Sequence, residues 1–238
     1  MFEGVVEQLG MNKLCHRAVQ VIVIMLTSLL LPALLFAAGT DISPGLLRYI
    51  NSRWGNEGQQ RVQSWYHFIS TQKSLPKPSP DTMQVERDRL SSDNSFWNRV
   101  PYYSDKAHWG VDDYWATPIE TLGSNGGDCE DYSIGKYFTL KELGIPIQKM
   151  RIFYVRALNR NEPHMVLAYY PEPDADPYIL DNLSNEIWPA SKRTDLEPVF
   201  SFNDDDLWSE GSQSRTGKSS QIRLWRDLLE KMDKEQKL

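Results

Sequence analysis

Cysteine is almost missing from this chain. Only two occur among 238 residues, Cys15 and Cys129, so no framework of disulfides can staple the fold. Histidine is scarce as well, at four, which shortens the choice of imidazole bases. No Lys/Arg-dense run is present, and the formal charge is -6 with a pI near 5.3. That removes the electrostatic footprint that nucleic-acid binding needs. No internal repeat is visible, so the chain is not a stacked array. What remains is 40% hydrophobic and 24% charged, the make-up of one ordinary globular domain large enough to bury a core.

An apolar run stands at the start. Lys13, His16 and Arg17 precede it, and from Ala18 to Ala38 it is broken only by Gln20, Thr27, Ser28 and Pro32. Ala37-Ala38-Gly39 and polar Thr40-Asp41 follow. A basic flank, an apolar stretch and small residues read as a secretory signal over residues 1–38. The alternative is a retained membrane anchor, since the run is long enough to span a bilayer. Cys15 precedes the run, so it is not a lipid-attachment site. Export implies the periplasm, with Cys129 as the one remaining thiol. An unpaired cysteine in an oxidising compartment is a liability unless its reactivity is used.

The chain is organised around Gly126-Gly127-Asp128-Cys129-Glu130-Asp131-Tyr132-Ser133. Two glycines lead into a cysteine among three carboxylates. Ile134, Tyr137, Phe138 and Leu140 then carry helical spacing until Gly144-Ile145-Pro146 stops it. A thiol at a helix N-terminus has its thiolate favoured by the helix dipole and by free backbone N–H groups. Cys129 is therefore a nucleophile candidate.

Around this centre, Ser43-Pro44 predicts a helix with Ser as N-cap and Leu46, Leu47 and Ile50 on its apolar face. A second helical pattern over 56–70 carries Val62, Trp65, Tyr66 and Ile69. Leu75–Pro80 is a break, and Asp81 opens a charged helix that reaches Phe96 and Trp97. Residues 101–118 are rich in aromatics without a period and read as a functional loop. After the cysteine helix, strands are expected over 148–157, 164–170, 178–183 and 198–202. Residues 39–203 would form the domain. Residues 204–238 would be a polar linker and an amphipathic helix with Ile222, Trp225, Leu228, Leu229 and Met232 on one side, which docks on the body by default or else meets a partner. Helices followed by antiparallel strands make an α+β fold.

A cysteine nucleophile needs a base and a group that orients the base. His67, His108 and His164 remain downstream of the signal. His67 sits on a helix and His108 in the aromatic loop, whereas His164 opens the second strand after the cysteine helix. Asp181 falls near the end of the next strand, where an antiparallel hairpin brings it beside His164. Asp174 and Asp176 sit in the turn at the far end of that hairpin. The expected triad is Cys129, His164 and Asp181.

These motifs, Gly-Gly-Asp-Cys-Glu-Asp-Tyr, then Arg-Ala-Leu-Asn with His-Met-Val-Leu, then Leu-Asp-Asn-Leu, resemble the bacterial transglutaminase-like cysteine proteinases over roughly residues 115–188. The resemblance implies a papain-like core, with the cysteine on a helix and His164 and Asp181 on adjacent strands. For the periplasmic branch it implies an endopeptidase that cuts a large cell-surface adhesin near its N-terminus and so releases biofilm cells. The implied partner besides that substrate is the periplasmic domain of an inner-membrane receptor that senses cyclic di-GMP and sequesters the protease. It also implies a calcium requirement met by the acidic residues around the cysteine.

Helical spacing of about 100° per residue puts Asp128, Glu130 and Asp131 within an arc of about 160°, with Cys129 outside it. One face could then gather calcium while the thiol meets the cleft. Calcium takes about six to eight oxygens, so carbonyls of 122–127, or Asp112 and Asp113, would have to assist. The ion would also offset charge that opposes thiolate formation. The other readings of the same residues are a solvated acidic helix start, a transglutaminase or cell-wall peptide amidase with the same triad, and a calcium-binding protein with an inert thiol.

Overall fold

The computed structural model describes residues 42–75, 82–209 and 214–238. The apolar run, the 1–38 boundary and the Asp81 helix start lie outside the described residues. Among these residues no helix is long and apolar enough to cross a membrane.

Helix α1 (Pro44–Ser74) begins as the sequence predicts, with Ser43 Oγ accepting the Leu46 N–H at 3.0 Å. The two expected helices are continuous apart from Gly55, whose φ of 69° marks a kink. Helix α2 (Thr82–Trp97) follows. The segment read as a loop contains one turn of helix, α3 (Asp105–His108), and leads into α4 (Pro118–Ser124). Thr117 caps α4 in a reciprocal box with Glu120, and Asn125 ends it in the left-handed conformation (φ 62°). A Thr-Pro-x-Glu start is a local signal that competed with the surrounding aromatics.

Helix α5 (Cys129–Glu142) is the axis of the molecule. Every residue from Asp131 to Leu140 is buried, so it has no solvent face and its sequence shows little amphipathic contrast. Trp65 and Trp97 both donate their indole N–H to Thr139 Oγ1, at 2.8 and 2.9 Å. A Cβ on Gly135 would lie 2.6 Å from the Trp97 ring, so this glycine sets how closely α2 approaches α5.

Among the described residues seven antiparallel strands follow in the order β4-β3-β2-β1-β5-β6-β7. They are β1 (Met150–Ala157), β2 (Glu162–Tyr169), β3 (Tyr178–Asp181), β4 (Ser184–Pro189), β5 (Leu196–Phe202), β6 (Asp206–Ser209) and β7 (Gly217–Lys218). Met165, Leu167 and Tyr169 join the main core with the helices, while Val166 and Ala168 join a smaller cluster with Val155 and Ile179. This alternation is what a sheet covered on one face and partly covered on the other requires. The α+β class expected from the sequence is therefore present.

The stretch expected as a polar linker is different. Residues 206–209 and 217–218 extend the sheet as β6 and β7. Strands of four and two residues are too short to show an alternating pattern and take their stability from pairing to a neighbour, so composition does not reveal them. The terminal helix α6 (Arg223–Gln236) does dock: Trp225 and Leu228 are fully buried. Lys231 Nζ donates to the Trp115 carbonyl at 2.7 Å and pairs with Glu120 at 2.8 Å. Thr117 Oγ1 donates to Glu235 at 2.7 Å. The last helix thus braces the segment that runs into α4.

Candidate active site

Cys129 is the first residue of α5, and the two glycines before it are demanded by close approach. A Cβ on Gly126 would lie 2.6 Å from the Tyr103 ring, and one on Gly127 would lie 2.6 Å from Asp131 Oδ2. The Gly127 backbone is pinned by its N–H to the Pro101 carbonyl (3.3 Å) and its carbonyl to the Tyr103 N–H (3.0 Å). Asp131 reaches back, its Oδ2 accepting the Asp128 N–H at 3.3 Å, while its Oδ1 accepts the Ala116 N–H at 2.8 Å. Cys129 is thereby fixed in the lining of a cavity of about 530 Å³.

His164 and Asp181 meet beyond the last paired residues of β2 and β3, with Nε2 2.9 Å from Asp181 Oδ1. His164 is the third residue of β2 rather than its first. Asp181 is fully buried and well supplied with donors: Leu183 N–H at 3.0 Å and Arg193 Nη2 at 2.7 Å. Burial alone would raise its pKa, but the bonds from His164, Leu183 and Arg193 hold it well below the usual carboxylate range. Arg193 also binds Asp195 at 2.9 Å. Sequence reasoning missed this arginine, because it arrives from the loop after β4 with no motif to mark it.

Cys129 and His164 line the same cavity. The Met165 backbone N–H, next to His164, stabilises the Cys129 thiolate, but burial and then Glu130 push the thiol well up. His67 is exposed on α1. His108 bonds Ser124 Oγ at 2.8 Å and stacks on Tyr103. Neither lines this cavity. Behind Asp181 lies a buried lysine, Lys136, fully enclosed and facing equally enclosed Asp93.

Below the sulfur the carboxylates gather in a way the helical-wheel argument did not foresee. Asp128 is an extended N-cap (φ -120°, ψ -160°), so the helical spacing starts only at Cys129. The thiol is not turned away from the acids: Sγ lies 3.0 Å from Glu130 Oε2. Oxygens of Asp105, Asp113 and Glu130, and of Asp105, Asp128 and Asp131, come within 4.8 Å of one another. Asp112 instead pairs with Lys106 at 3.0 Å. Leu122 and Gly123 carbonyls are taken by Arg61 at 2.7 and 2.6 Å. Asp131 spends both oxygens on backbone N–H groups, which makes it a brace for the cluster as well as a member of it. Asp105, which accepts the Tyr114 N–H, was not legible in the sequence.

The cluster fits a hard cation. Asp105 Oδ1 and Asp128 Oδ1 are buried and have no hydrogen-bond partner, an arrangement that costs free energy unless something positive completes it. Burial and neighbouring carboxylates raise Asp105 to about 6 and Asp128 to about 8. All-oxygen donors of this kind suit calcium better than a soft metal.

The sequence profile of the family described as bacterial transglutaminase-like cysteine proteinase (BTLCP) matches residues 63–208. The chain belongs to this family. Solved structures of Legionella pneumophila LapG are 37% identical to it. The EGTA-treated form has a TM-score of 0.67, covering 79% of this chain and 96% of that one. The calcium-bound form has a TM-score of 0.65, covering 79% and 97%. Among curated protein sequences none matches the chain. This BTLCP-family chain is accordingly a LapG-type cysteine protease.

Proposed function

We propose that this protease is a calcium-dependent periplasmic endopeptidase. It cuts a large cell-surface adhesin near its N-terminus, and a cyclic-di-GMP-responsive inner-membrane receptor holds it in check through its periplasmic domain. The observation that carries the catalytic part is Cys129, at a helix N-terminus, opening into the cavity that also holds the His164–Asp181 pair. The adhesin and the receptor are supported by family resemblance. The apolar run over 18–38 supports export.

The geometry supports the following roles. Asp181 accepts from His164 Nε2, which fixes the tautomer and leaves Nδ1 for the Cys129 proton. The sulfur attacks the peptide carbonyl, the imidazolium protonates the leaving amine, and the amine departs from a thioester. His164 then takes a proton from water, whose oxygen attacks the thioester and restores the thiol. The Cys129 backbone N–H, at the helix start, serves the oxyanion.

Asp105, Asp113, Asp128 and Glu130 would hold calcium, with Asp131 bracing them. Bound calcium supplies the positive charge that this cluster lacks and that opposes the upward push on the thiol.

The test is cleavage of a purified adhesin N-terminal fragment. Wild type with calcium should give a single cut, and Cys129→Ala or excess chelator should give none. Cross-linking to amines in place of cleavage would support the transglutaminase reading. Full activity in strong chelator would remove the metal.

A further inference from the structure

Beside the active cavity runs a second groove of about 470 Å³ that the mechanism does not use. The two are adjacent, since Arg160 and Leu183 line both. The two ends of this cleft differ in charge. Around Cys129 the lining includes Asp112, Asp113, Asp128, Glu130 and Glu162. The neighbouring groove presents Lys192 beside two arginines that are already paired, Arg160 with Glu162 and Arg193 with Asp181 at 2.7 Å and Asp195 at 2.9 Å, and Asp195 is its one lining carboxylate.

We infer that this groove is a substrate subsite for an acidic side chain of the polypeptide being cut. It builds on the endopeptidase reading of Cys129 above, without needing the adhesin as substrate. Lys192 is exposed and makes no ion pair among the described residues, so its charge is available. Leu183 and Trp188 are 48% and 46% exposed along the same groove. They offer apolar walls for the aliphatic stem of a Glu, or for a neighbouring side chain, while the cation meets the carboxylate. A chain lying across Cys129 must leave the cavity somewhere, and this exit selects for negative charge.

The experiment uses the calcium-loaded wild type and Lys192→Glu on a mixed library of synthetic peptides, with cut sites read by mass spectrometry. Matched peptides carrying Glu, Gln or Lys at the selected position then give kcat/KM. Wild type should prefer Glu over Gln at one position flanking the cut by on the order of tenfold, the size of a charge-assisted hydrogen bond. Lys192→Glu should abolish that preference or turn it towards Lys, and Lys192→Gln should abolish it. Iodoacetamide should alkylate Cys129 at the same rate in all three proteins. Equal cleavage of Glu and Gln peptides, a preference that survives Lys192→Glu, a library left uncut, or an altered alkylation rate would each overturn the subsite. If the adhesin fragment resists while the library shows the acid preference, the adhesin reading fails and the subsite stands.

Discussion

The two halves of the active site are built on opposite terms. At the β2–β3 end, His164, Asp181 and Arg193 satisfy one another, with Asp181 accepting from three donors and sitting well below the ordinary carboxylate range. At the α5 end, Asp105 and Asp128 each leave a buried oxygen unpaired, and both carboxyls are pushed up. One half is preorganised by the protein alone, while the other is complete only with a cation. Preorganised dipoles can act without a change of state. A cluster short of positive charge can respond to metal concentration. The thiol sits between them, touched by Met165 on one side and Glu130 on the other.

The largest effects should fall on the self-sufficient half. His164→Ala should lower kcat/KM by about 10⁴-fold, with calcium affinity by calorimetry unchanged. A loss of calcium binding in that variant would break the separation of the halves. Asp181→Asn should also cripple turnover, again without touching the metal.

In the other half, Asp105→Asn should weaken calcium binding by at least about tenfold. Activity should recover when calcium is raised. Unaltered affinity would take Asp105 out of the ligand set.

The pH dependence separates the halves further. Folded, metal-free protein keeps protons on Asp105 and Asp128 up to about 6 and about 8, whereas the unfolded chain releases them near the ordinary carboxylate value. The folded state binds more protons in that window, so chelated protein should lose stability as pH rises from about 4 to about 8. Calcium affinity should rise over the same range, because the ion competes with those protons. Melting curves in chelator and in calcium at several pH values check both signs, and a flat chelator profile would refute them.

The smallest effect concerns the brace. Lys231 holds Trp115 and Glu120, next to the residues that donate to Asp105 and Asp131. Lys231→Met should reduce calcium affinity by a few-fold, leaving the His164–Asp181 end untouched. It should cost about 1–3 kcal/mol of stability, since buried Glu120 loses a charged partner.

Much of this was readable in the chain. Gly126-Gly127-Asp128-Cys129 announces its own geometry, because a helix start, a close approach and a thiol are local properties. The spacing of His164 and Asp181 also implied their meeting, since consecutive antiparallel strands place neighbours in sequence beside one another. Strands β4, β6 and β7 were not readable, as they are short, mix polar and apolar residues without a clear alternation, and pair because a neighbouring strand is offered to them. Helix α5 misled the wheel argument just before its first residue, at the N-cap Asp128, whose backbone is extended.

The sequence by itself determined which groups are on offer for chemistry: a lone downstream thiol, few imidazoles, and carboxylates placed around the helix start. Those choices are covalent and local. Only the tertiary structure decided which acids come close enough to reach one cation, that Arg193 supports Asp181, and that Lys192 stands beside an acidic cavity. Each depends on side chains distant in the chain being brought within a few ångströms, and burial there sets both their charge and the free-energy cost of leaving them unpaired.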